Sequence, residues 1–256
     1  MNGTAGDDNV VVSGAGVVDG LPYQVELFNA DPAIDRLSVN TLAGNDRIDS
    51  SPLAPNAVLL SIDSGDGDDI IIGSLGEDFV DGGRGTDVAF LGDGNDIFQW
   101  DPGEGSDVVE GQAGFDAMVF NGSGADERFE ASANGPRVTF TRDVGGIVMD
   151  LDDVEQIDLD ALGGRDTLVV NDLSGTDLQE LEADLEAEED GGDPDTETDF
   201  ITIMGTPGDD FVDVLASGQS VFVLGRLRSS ASPLRRLRMC CRCSVKPVTT
   251  GSAPRV

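Results

Sequence analysis

Between Gly65 and Phe98 an aspartate falls every nine residues, at Asp69, Asp78, Asp87 and Asp96. A glycine stands two residues before each, at Gly67, Gly76, Gly85 and Gly94, and an apolar residue two after, at Ile71, Val80, Ala89 and Phe98. Trp100-Asp101 interrupts the spacing, which then resumes with Gly105, Asp107 and Val109 and with Gly114, Asp116 and Met118. Carboxylates and glycine-rich turns supply hard oxygen donors, so the chemistry to expect is cation binding. Proton-transfer chemistry is less well provided for. The chain has no histidine, which removes the commonest general base and zinc ligand.

The elements that must hold these residues follow from the unit's length. Nine residues are too few for a helix plus a strand, but suit a three-residue strand such as Ile70-Ile71-Ile72 and a six-residue turn. Strand alternation sends Ile71, Val80, Ala89, Phe98, Val109 and Met118 to one face. The third and fifth positions of the unit vary and are expected to face water. Two units make one coil of a flattened spiral, so turns stack two units apart. Stacked strands lie about 4.8 Å apart, bringing Asp69 beside Asp87 and Asp107, and Asp78 beside Asp96 and Asp116. Two carboxylates about 5 Å apart repel by about 0.8 kcal/mol in water and about 3 kcal/mol at an effective dielectric of 20. No lysine or arginine recurs with the repeat to offset this. Calcium, which accepts 6–8 oxygens in flexible geometry, fits such a site; magnesium, with its tight octahedron, fits poorly. Asp-Gly pairs that merely marked surface turns would not hold one spacing through six units.

The run GGRGTDVAF at 82–90 matches the G-G-x-G-x-D-x-U-x nonapeptide. The six units thereby resemble RTX (haemolysin-type) calcium-binding repeats. Ser64, Ser74 and Leu91 depart from the glycines of the first two positions. The resemblance implies a parallel β-roll with Ca2+ in the turns, bound by the aspartates and by carbonyls of Gly67, Gly76, Gly85, Gly94, Gly105 and Gly114. It also implies an extracellular or cell-surface location after type I secretion.

A longer rung surrounds the repeat. Leu37-x-Val39 leads to Gly44, Asp46 and Ile48; the same spacing recurs from Leu60, Ile157 and Ile201. Asp46, Asp166 and Asp210 show no neighbour one coil away by this spacing and are read as turn aspartates. Arg137-Val-Thr-Phe-Thr and Ile147-Val-Met-Asp-Leu read as strands. The expected fold is therefore all-β: looser β-solenoid coils over 1–63, the calcium β-roll over 64–119 and a β-rich continuation over 120–172. Residues 173–200 are read as a short acidic helix, on Thr176-x-x-Gln179 and the Leu178, Leu181, Leu185 face, or as an acidic linker. Residues 201–225 begin another β unit. Gly205-Thr-Pro-Gly-Asp-Asp210 matches Gly3-Thr-Ala-Gly-Asp-Asp8, as if one period of a larger repetitive protein were present.

Charge divides the chain abruptly. Residues 1–225 carry all 50 acids and seven arginines, a balance of −43; residues 226–256 carry no acid, seven arginines and Lys246, a balance of +8. The acidic body excludes nucleic acid and anionic membranes as partners and favours cations. No apolar run of 18 residues and no signal-peptide pattern occurs, so no membrane span is expected. The basic stretch reads as a disordered tail of the composition that a reading-frame slip in a GC-rich gene yields, or as an arm that docks on acidic surface or polyanion. Cys240, Cys241 and Cys243 lack a fourth ligand for a structural metal. The function expected is a non-enzymatic calcium-binding module of a larger secreted or surface repeat protein, whose further partners are that protein's other domains. The alternative is a non-catalytic fragment of a secreted RTX protease, lipase or epimerase.

Overall fold

Strands of three to five residues separated by six-residue turns leave each coil with little to bury alone, so the coils must stack. In the computed structural model, which describes residues 2–55, 57–185, 197–217, 220–226 and 236–242, they do. The chain winds between two sheets, and consecutive coils pair mainly parallel. One sheet runs in register through Arg47, Ile70, Val88 and Val108. The other runs through Leu60 and Asp78 and, one residue on, through Phe79, Ile97 and Ala117. The protein is an all-β parallel β-solenoid. Ile71, Val80, Ala89, Phe98, Val109 and Met118 all point into the space between the sheets and are fully buried or within 1% of it.

The coil is widened once. Between Val108–Gly114 and Thr167–Val170, one sheet inserts a meander of Arg128–Asn134, Arg137–Arg142 and Ile147–Asp152, while the facing sheet inserts only Gln156–Asp160 between Ala117–Asn121 and Glu180–Asp184. Large side chains fill the extra width. Trp100 stacks on Phe120 at 4.1 Å, and Phe140 and Phe129 meet Phe120 edge-on at 5.1 and 6.1 Å. Four of the fully buried aromatic rings thus gather where two strands of one sheet have no counterpart in the other.

Two stretches differ from their sequence-based reading. In the segment read as a helix or linker, Glu180–Asp184 is a strand paired with Gln156–Asp160. Its alternation buries Leu181 and Ala183, and the open edge of 156–160 outweighs the weak helical pattern. Thr176 donates its hydroxyl to the Leu173 carbonyl instead of capping a helix. In the segment read as a disordered tail, Arg236–Arg242 is a strand lying between Ser220–Arg226 and Glu180–Asp184. Its register sets Arg238 opposite Glu180 and Arg242 opposite Asp184, so residues of opposite charge fall in line. The rest of the basic stretch, 227–235 and 243–256, lies outside the described residues.

Deleting residues 227–256 is expected to turn Glu180–Asp184 into an open edge and to detach the 211–226 hairpin. Amide exchange at 180–184 should accelerate about tenfold or more, a loss of about 1.4 kcal/mol of local protection. Unchanged exchange would contradict the pairing.

Candidate metal-binding turns

Because each strand is in register with the next coil's, the sixth position of every turn falls in a column along the sheet edge. The columns contain the residues expected from the repeat and extend beyond them. On one edge the backbone N–H of Asp69 donates to Oδ1 of Asp87 at 2.8 Å, and that of Asp87 to Oδ1 of Asp107 at 2.9 Å. On the other, Asp78 donates to Asp96 at 2.8 Å and Asp96 to Asp116 at 2.9 Å. The carboxylates of Asp87, Asp107, Asp96 and Asp116 are therefore held by the backbone of the coil before each.

Asp46 belongs to the first column, contrary to its reading as an isolated turn residue. Its N–H donates to Asp69 Oδ1 at 2.7 Å, and its own Oδ1 receives the Asp8 N–H at 2.6 Å. The coil below Asp69 is 23 residues long because its far turn is longer, so the eighteen-residue spacing passes over the neighbour. Asp166 likewise receives the Glu127 N–H at 2.9 Å and donates its own to Asp199 at 3.0 Å. Asp210 stays a turn aspartate, exposed and held by Thr206.

The fourth-position glycines form their own columns. A Cβ on Gly85 would lie 1.8 Å from the Gly67 carbonyl oxygen, and one on Gly105 only 1.5 Å from that of Gly85. Gly94 and Gly114 face the carbonyls of Gly76 and Gly94 at 2.5 and 1.4 Å in the same sense. Glycine is required because the backbone of the adjacent coil fills the place of a side chain. The Gly105 carbonyl also accepts the Trp100 indole N–H at 2.8 Å, which seats the residue that interrupts the repeat. Fifth-position residues do face water, yet they also link turns. Thr86 N–H donates to Asp68 Oδ1 at 2.9 Å, and Phe115 N–H to Asn95 Oδ1 at 2.9 Å, in the direction opposite to the aspartate columns.

Electrostatically the columns are unbalanced. Asp69, Asp87, Asp96, Asp107 and Asp116 are all 2% exposed or less. In each, as in Asp46, Oδ2 is buried without a hydrogen-bond partner. Beside Asp69, the Ser64 hydroxyl donates instead to the Gly82 carbonyl at 2.8 Å. Asp78 differs, since Ser74 satisfies both its oxygens at 2.5 and 2.8 Å. Burial pushes Asp87 and Asp96 up to about 8, with neighbouring column acids adding to the rise. Burial likewise raises Asp69, Asp78, Asp107 and Asp116 to about 6. Among the described residues no lysine or arginine forms an ion pair with any of these six. Buried oxygens of this kind, beside close-packed backbone carbonyls, are suited to a hard divalent cation.

One turn is built differently. Residues 122–127 place Glu127 at the position of the column aspartates, and Arg142 from the inserted meander forms a buried ion pair with it. The Arg142 Nε–H donates to Glu127 Oε1 at 2.5 Å, its Nη2 to the Ser123 hydroxyl at 3.2 Å, and its guanidinium lies 5.3 Å from the Trp100 ring centre. Two further acid groups, Asp81–Asp101–Glu104 and Asp152–Asp153–Asp177, each bring their carboxylate oxygens within 4.8 Å of one another. No periodic signal marks these acids, because none occupies the sixth position of a nonapeptide unit.

No family model matches the sequence. No curated protein matches it either. In structure the chain is similar to the extracellular lipase LipA from Serratia marcescens, with 16% identity and a TM-score of 0.34 over 80% of this chain. The likeness spans 43% of that lipase's length.

Two outcomes test this geometry. Gly85→Ala should destabilise the fold by about 2 kcal/mol or more in urea titration, whereas Gly6→Ala, where a Cβ meets nothing within 4 Å, should change it by less than about 0.5 kcal/mol. The second concerns pH. Column acids bind protons more tightly folded than unfolded, so metal-free stability is greatest near pH 4 and falls as pH rises toward 8 through their raised values. Thermal melts of metal-stripped protein across that window should show a falling midpoint; a rising one would contradict the burial of these groups.

Proposed function

We propose that this chain is a non-enzymatic calcium-binding module of a larger secreted or cell-surface repeat protein, and that calcium drives its folding. The observation that carries the reading is the pair of columns of buried aspartates, all but Asp78 with an oxygen that no protein group satisfies. Calcium would lie between successive turns on each edge, held by Asp69, Asp87 and Asp107 on one and Asp96 and Asp116 on the other, with carbonyls of the glycine turns. Asp46 extends the first row. Asp78, already satisfied by Ser74, is the weakest of the expected ligands.

The turn at Glu127 supports the same reading by contrast. There the chain supplies a guanidinium of its own, which shows how a cation satisfies an acid at this place in the coil. The absence of histidine and of any nucleophile motif supports a role without catalysis.

Circular dichroism in chelator and in calcium tests the proposal. Calcium sites of extracellular type bind at about 10⁻⁴–10⁻³ M. At about 1 mM calcium and a Kd of about 10⁻⁴ M, each site adds about 1.4 kcal/mol. A β-rich spectrum should therefore require or strengthen with millimolar calcium, and Asp87→Asn should raise the midpoint more than Asp68→Asn. Spectra and melting that ignore calcium would refute the proposal.

A further inference from the structure

The second column has no nonapeptide beyond Asp116, yet the structure continues it. Asp116 N–H donates to Glu155 Oε2 at 2.9 Å, as Asp96 N–H does to Asp116 Oδ1. Glu155 and Gln156 N–H both return to the Asp116 carbonyl at 3.0 Å. A Cβ on Gly111 would meet the Asp153 carbonyl at 1.8 Å, just as one on Gly73 would meet that of Leu91 at 1.9 Å. Residues 153–155 thus sit on turn 111–116 as turn 91–96 sits on 73–78. They do so in three residues instead of six, without glycine, and with Asp153 in the left-handed region at φ 49°.

The shortened turn omits the carbonyls of the missing positions and brings acids in their place. Asp177, from the connection between Thr167–Val170 and Glu180–Asp184, lies with Asp153 and Asp152 so that their carboxylate oxygens are within 4.8 Å of one another. Arg137 already donates to Asp152 at 3.1 Å, which leaves Asp153 and Asp177 the more negative part of this group. Asp116 is fully buried, its Oδ2 has no hydrogen-bond partner, and the charges that face it are those of Glu155 and Asp153. Glu155 in turn faces Asp177 and Asp153.

We infer that Asp116, Asp153, Glu155 and Asp177 form a calcium site in which the last nonapeptide unit supplies Asp116 and the other three acids come from beyond the repeat. The inference rests on the proposed calcium reading and adds a site of a different kind. Carboxylate count tunes calcium affinity. With four carboxylates where a glycine turn offers two and a set of carbonyls, this site fills before the rows.

Equilibrium dialysis of the full chain with labelled calcium tests it, on wild type, Asp153→Asn/Asp177→Asn and Glu155→Gln. Glu155→Gln keeps an oxygen for the Asp116 N–H, so the turn need not unfold. Wild type is expected to show one ion bound about tenfold or more tightly than the rest, and both variants to weaken that ion by about tenfold or more while the weaker class persists. Asp87→Asn, on the other edge, should do the reverse. If the tight ion is absent from wild type, survives in both variants, or is lost only in Asp87→Asn, the inference is overturned while the calcium reading stands. A wild-type chain that binds no calcium overturns both.

Discussion

The stacking of a carboxylate on the backbone of the coil below governs this structure. Apart from Asp78, each column aspartate spends one oxygen on an N–H from the preceding coil and turns the other into the buried edge of the sheet. The first contact fixes the register that aligns the apolar residues between the sheets. The second concentrates negative charge in a line, where each group raises its neighbours' proton affinity. Register and charge cannot be separated, since the bond that aligns the coils is made by the group that repels its own kind. On the calcium reading, a cation between the turns would resolve the conflict without disturbing either, because it would take the oxygen that the backbone leaves unused.

The inserted meander shows the same constraint met by other means. Three strands replace one, and the core beneath them is built on packed aromatic rings. Arg137 on the outer face bridges Glu110, Asp150 and Asp152 at 2.7 to 3.1 Å, joining the meander to the last repeat coil. Arg142 faces inward and meets Glu127. Both arginines lie on Arg137–Arg142, so a single strand supplies positive charge to both of its surroundings.

Much of this was legible in the sequence, for a physical reason. Strand alternation and coil length are rigid, so a nine-residue spacing of Gly, Asp and apolar residue leaves little choice of fold, and the aspartates and glycines expected as ligands stack in the columns it implies. The rung from Leu37 to Ile48 also pointed correctly to a coil. What failed was the assumption of equal coil length, which hid Asp46 beside Asp69. Glu155 was invisible because a longer side chain reaches the Asp116 N–H from a shorter turn, and Glu127 because it is a glutamate where the repeat would place an aspartate and is paired by an arginine from the meander. Glu180–Asp184 and Arg236–Arg242 were misread because their strand character depends on the neighbouring edge more than on their own composition.

The Glu127–Arg142 pair has a consequence for the order in which the molecule assembles. Separating one partner of a buried pair from the other costs about 3–5 kcal/mol, and neither member depends on any solute. The coil over the aromatic cluster therefore carries a resident counterion, while its flanks would draw theirs from solution if they bind calcium as proposed. On the calcium reading, this coil is a seed that persists when the ion is scarce, and rungs add outward from it in both directions as the ion is supplied. A fixed guanidinium would then set the starting point of a fold whose extent the surroundings set, a polarity that residue-resolved exchange in metal-free buffer would reveal.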